Sequence, residues 1–82
     1  MPLYRFNLRN GHGLIEDEEG RELADAEAVR AEAVKGIRSI LCEELLSGRV
    51  DLRGQIEVMD GSGSLYIVVP FTDAVSITWP GK

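Results

Sequence analysis

One helical period, flanked by two pairs of alternating segments, limits this chain more than any other feature. From Ala26 to about Ser47, Val29, Ala33, Ile37, Ile40, Leu41 and Leu45 recur at helical spacing. They share one face of an amphipathic helix. Arg30, Glu32, Lys35, Arg38 and Glu43 fall largely elsewhere. Asp25 is placed to cap the helix start, Glu27 lies in the first turn, and Gly48 is a natural terminator. Gly36 interrupts the pattern. It costs about 1 kcal/mol against alanine if exposed, or it lets the helix approach a sheet closely.

The segments on either side read with a period of two. Tyr4, Phe6 and Leu8 alternate with Arg5 and Asn7, and Asn10-Gly11 is a hairpin signal leading into Leu14 and Ile15. After the helix, Gln55 to Asp60 alternate with Ile56 and Val58 on one face, Gly61 to Ser64 form a flexible turn, and Leu65, Ile67 and Val69 share the next face. Pro70 ends ladder pairing. Residues 71–82 read either as an extended segment or as one helical turn at Thr72 to Val75, and the alternation of Phe71, Val75, Ile77 and Trp79 with polar or small residues favours the extended form.

A single helix must bury one stripe, and an antiparallel sheet offers one apolar face to receive it. The economical fold is α+β, a two-layer ββαββ sandwich. It has an antiparallel sheet of about four strands and one helix on one face. Residues 1–82 form one domain. Tyr4, Phe6, Leu8, Ile56, Val58, Leu65, Ile67 and Val69 are expected to face Val29, Ala33, Ile37, Ile40, Leu41 and Leu45.

Composition removes several function classes. The chain carries 14 acidic and 9 basic residues, a net charge of −5. Its arginines are scattered among acids rather than clustered, so no nucleic-acid partner is expected. No apolar run approaches the ~20 residues needed to cross a bilayer, so no membrane partner is expected and the cytoplasm is the default location. Cys42 is the only cysteine. It cannot form an internal disulfide and reads as a small apolar helix residue rather than a reactive thiol.

The charged run Leu14 to Leu23 is the next candidate for chemistry, because Glu16, Asp17, Glu18 and Glu19 are consecutive. It reads first as a solvated acidic turn ended by Gly20. The alternative is a divalent-cation or ligand site shared with His12. The acids lack the alternating ligand spacing of a calcium loop, and a metal site needs several convergent ligands. No catalytic set, metal set or cofactor is assigned. The serines lie in no nucleophile motif, and a small enzyme ranks third because so short a chain has little bulk left for a deep pocket.

One helix covers only one sheet face. Leu3, Met59, Tyr66 and Val68 fall out of phase with the helix-facing set, and Trp79 could join them. They are the candidate interface, an apolar patch edged by Arg5 and Glu57. The expected role is that of a small acidic, non-enzymatic module that binds a protein partner or itself as a homodimer. It would do so through the open sheet face or an edge strand.

The opening Met1-Pro2-Leu3-Tyr4-Arg5-Phe6, the turn Asp17-Glu18-Glu19-Gly20, the single helix, the strand with Ile56 and Val58, and the closing Phe71-Thr72-Asp73-Ala74-Val75 occur in that order. Together they resemble a family of small bacterial domains of unknown function. The resemblance implies the same order of segments and carries no activity, cofactor or ligand to transfer.

Overall fold

The alternation of Tyr4, Phe6 and Leu8 produces the longest strand, β1 (Leu3–Asn10). A tight turn at Gly11 and His12 leads into β2 (Gly13–Ile15), paired antiparallel with the end of β1. The computed structural model describes residues 1–81. After β2 come β3 (Arg21–Glu22), α1 (Ala26–Leu46), β4 (Gln55–Met59), β5 (Leu65–Pro70) and a 3-10 turn at Phe71–Asp73. The sheet order is β2-β1-β4-β5, with β3 pairing the start of β1, and every pairing is antiparallel. The expected α+β architecture is present, with one short strand more than the sequence pattern shows.

Helix α1 begins as its sequence dictates. The Asp25 carboxylate accepts the Ala28 N–H at 2.9 Å, and the Gly48 N–H bonds the Leu45 carbonyl at 2.9 Å with a positive φ of 88°. The helix buries Val29, Ala33, Ile37 and Leu41 against Ile56, Val58 and Val69 of the sheet. Four of these, Val29, Ile37, Val58 and Val69, have no solvent exposure. A β-carbon added at Gly36 would meet nothing within 4 Å, so that glycine serves no close approach.

Two expected core positions differ. Leu45 and Leu65 are exposed. Leu45 lies in the last turn of α1, and the strand register sets Leu65 opposite Met59, on the sheet face away from the helix. Residues 71–82 do not simply extend. Phe71–Asp73 form a 3-10 turn that buries Phe71 and seats Ala74 in the core. Pro70 at fixed φ precedes the turn, and the Phe71 N–H bonds the Gly54 carbonyl at 3.0 Å. Beyond Ala74 the chain carries no regular structure through residue 81, and Lys82 lies outside the described residues.

Candidate interaction surfaces

The acidic turn is a structural clasp. Between β2 and β3 no strand lies opposite the middle of β1, so the Phe6 N–H would be left without a ladder partner. Asp17 supplies one. Its Oδ2 accepts the Phe6 N–H at 3.1 Å, and its Oδ1 accepts from Glu19 and Gly20 at 3.2 and 3.1 Å. Its own N–H donates to Asn7 Oδ1 at 2.9 Å, which accounts for the burial of Asn7 on a face otherwise open to water. Arg5 closes the turn by donating to the carbonyls of Asp17 and Glu18. Gly20 is required there. Its φ is 76°, and a β-carbon would stand 2.9 Å from the Tyr4 carbonyl oxygen.

Partial burial pushes the Asp17 carboxyl up. The N–H groups of Phe6, Gly20 and Glu19 and the Arg5 guanidinium outweigh it and hold the group below the usual carboxylate range. Glu16, Glu18 and Glu19 stand in solvent around it. Among the described residues no group of three or more His, Cys, Asp or Glu is placed to hold a metal ion. His12 is exposed at the hairpin tip, with its N–H held by the Asn10 side chain at 2.8 Å.

The sheet face away from the helix is polar at its centre. Arg9 and Glu57 pair at 2.6 Å across β1 and β4, and Gln55 adds a second donor to Glu57 at 2.7 Å. The Arg9 and Gln55 hydrogen bonds hold the Glu57 carboxyl below its usual value. A shallow concavity of about 500 Å³ lies between the acidic turn and the Asp60–Ser64 turn, floored by Arg5, Asn7 and Met59. The Ser62 hydroxyl and the Ser64 N–H bond the Asp60 carboxylate and keep it low.

Of the candidate interface residues, Met59 lies in this floor and Val68 pairs opposite Glu57 on the same face. Leu3 is half-buried, with its side chain close under Gly20. Tyr66 lies on the other side. Val58 pairs Ile67 while Met59 pairs Leu65, so Tyr66 is the extra residue of a β-bulge. The bulge aims its ring at Tyr4, with centroids 4.9 Å apart and planes tilted by 48°. Trp79 does not reach the open sheet face, because the segment after the 3-10 turn follows the helix. Arg30 pairs with Asp73 at 3.3 Å, and Arg38 Nε donates to the Ala74 carbonyl at 2.7 Å. Trp79 is largely exposed beyond these anchors.

Two apolar surfaces remain. The first is β5, the free edge of the sheet, where Leu65, Tyr66 and Val68 are 56%, 37% and 38% exposed. No residue from Leu65 to Pro70 is charged. The second is a groove of about 500 Å³ between the C-terminal half of α1, the loop after it and the tail, with Leu41, Leu45, Val50, Leu52 and Ile77 among its walls. The sequence pattern missed this groove, because Val50 and Leu52 lie in a loop without period. Exposed Cys42 also lines it.

A family model described as a domain of unknown function, DUF6894, matches residues 3–72. The chain belongs to the DUF6894 family. The match takes in the whole sheet and the helix and ends inside the 3-10 turn, so Val75 and Ile77, the tail residues that line the groove, lie beyond it. No curated protein and no solved structure matches the chain. Among the described residues no helix is long and apolar enough to cross a membrane.

Proposed function

We propose that this DUF6894 chain is a non-catalytic, cytoplasmic interaction module that pairs with a second copy of itself through the β5 edge. The observation that carries this reading is an uncharged six-residue edge strand bearing three exposed apolar side chains. Edge strands present unpaired N–H and C=O groups, and proteins usually blunt them with charge, shortness or cover. The opposite edge is blunted: it is split into β2 and β3, three and two residues long. β5 has only Pro70, at its end.

Charge favours this edge over the open face. Two chains of net charge −5 repel each other, so contact is cheapest where no charge is carried. The open face would set the Arg9–Glu57 pair and the acidic turn against their own copies. Antiparallel pairing of two β5 strands about a twofold axis would instead join the sheets and bury Leu65 and Val68. A strand edge is smaller than a standard protein interface, so the association is concentration-dependent.

Light scattering over a concentration series tests the reading, with Val68→Lys as the disrupting variant. Val68 is preferable to Tyr66 because Tyr66 also packs on Tyr4. The wild type should move from monomer to dimer mass with rising concentration, and Val68→Lys should stay monomeric. A wild type that stays monomeric at millimolar concentration removes the proposal.

A further inference from the structure

The groove beside α1 has a built-in polarity. Its walls are almost wholly aliphatic, and Leu45, Val50 and Ile77 stand exposed around an unfilled space of about 500 Å³. Apolar side chains gathered around one concavity are costly to hydrate, and such a concavity with few convergent polar groups is a typical small-ligand site. One charged group lines it, Arg38. Its Nε is committed to the Ala74 carbonyl. Among the described residues no carboxylate lies within ion-pair distance of its guanidinium, whereas Arg9, Arg21, Arg30 and Arg53 are each paired.

The position of Arg38 is fixed at both ends. It precedes Leu41 and Leu45 along the helix stripe, and the tail that forms the opposite wall is tied to it at Ala74. The cation therefore stands at one end of an apolar trough. We propose that the groove binds a small amphiphilic carboxylate, with its hydrocarbon body against Leu41, Leu45, Val50 and Ile77 and its carboxylate on Arg38. A guanidinium suits a carboxylate because its planar fork can donate two parallel hydrogen bonds. Arg38 is the one charged group lining the groove, so it matches a head group of single negative charge and leaves any further charge unpaired.

The test uses the full chain, labelled with ¹⁵N, titrated with decanoate, 1-decanol and decylammonium below their aggregation concentrations. Decanoate should give saturable amide shifts at Leu45, Leu52 and Ile77. Decanol should bind about tenfold more weakly and decylammonium more weakly still, as expected when a charge-assisted bond is lost or reversed. Arg38→Gln should bring decanoate down to the affinity of decanol. That variant also loosens Ala74, so Val50→Trp is the second: it fills the groove from an exposed loop position and should abolish binding of all three. The proposal is overturned by decanol binding as tightly as decanoate, by unsaturable shifts spread over the surface, or by Val50→Trp leaving binding unchanged. Groove shifts that follow protein concentration alone would also overturn it, because a second copy would then be the occupant. None of these outcomes depends on whether β5 pairs.

Discussion

Removing the Asp17 carboxylate should cost this protein more than removing any other charge in the acidic run. Asp17→Ala deletes the acceptor for three backbone N–H groups and leaves the part-buried Phe6 N–H facing a gap in the sheet edge. Bonds to charged acceptors contribute roughly 1.5–3 kcal/mol each when shielded and less in exposed turns. Only the Phe6 and Gly20 bonds are part-buried, so the expected loss is about 2–3 kcal/mol. For a domain of this size that lowers the Tm by roughly 10–20 °C. Thermal and urea unfolding followed by circular dichroism measure it, with Glu18→Ala and Glu19→Ala as controls expected within about 0.5 kcal/mol of wild type. A loss below about 0.5 kcal/mol for Asp17→Ala would refute the clasp.

The same carboxylate predicts a pH dependence. Its folded pKa lies below the ordinary 3.8, so folding favours the ionised form. The contribution is complete above the unfolded pKa and is lost as pH falls through the folded one. Wild type should therefore lose stability more steeply below pH 4 than Asp17→Ala does, and parallel curves would contradict the assignment.

Further substitutions test the packing. Gly36→Ala should stabilise by about 0.5–1 kcal/mol, because the added methyl meets open space on a helix; a loss in urea unfolding would mean the helix sits closer to its neighbours than described. Gly54→Ala should destabilise by roughly 1–3 kcal/mol, because its β-carbon would stand 2.9 Å from the Phe71 ring. Ile37→Ala empties a fully buried site and should cost about 2–5 kcal/mol by the same assay.

Much of the fold was legible because helix and strands carry clean periods. The stripe from Val29 to Leu41 and the alternation of Ile56, Val58 and Val69 each have one physical solution, a two-layer stack. The Asp25 cap and the Gly48 terminator follow from local backbone chemistry. Three features left no periodic signal. Arg21–Glu22 is too short to alternate, so the second piece of the sheet edge was invisible. Asp17 reads as one acid among several, and only the missing strand opposite Phe6 singles it out. The bulge at Tyr66 turns its ring from the open face to Tyr4, and a strict period of two cannot anticipate that turn.

The candidate interface was legible only in part for the same reason. Phase along the strands placed Met59 and Val68 together on the open face. It could not show that cross-strand pairing of Arg9 and Glu57 makes the centre of that face polar, which shifts the exposed apolar surface to the β5 edge. The tail was ambiguous because Phe71 and Ala74 enter the core through a single 3-10 turn, too short for a helical spacing to repeat and stand out against the alternation that follows it.

Self-pairing of β5 is tested most directly by intermolecular nuclear Overhauser effects in a sample mixing ¹³C-labelled and ¹⁵N-labelled copies. Contacts between Leu65–Val69 of one copy and the same residues of the other are predicted. Intermolecular contacts confined to Arg5, Met59 and the acidic turn, or none at a concentration where scattering reports a dimer, would contradict it.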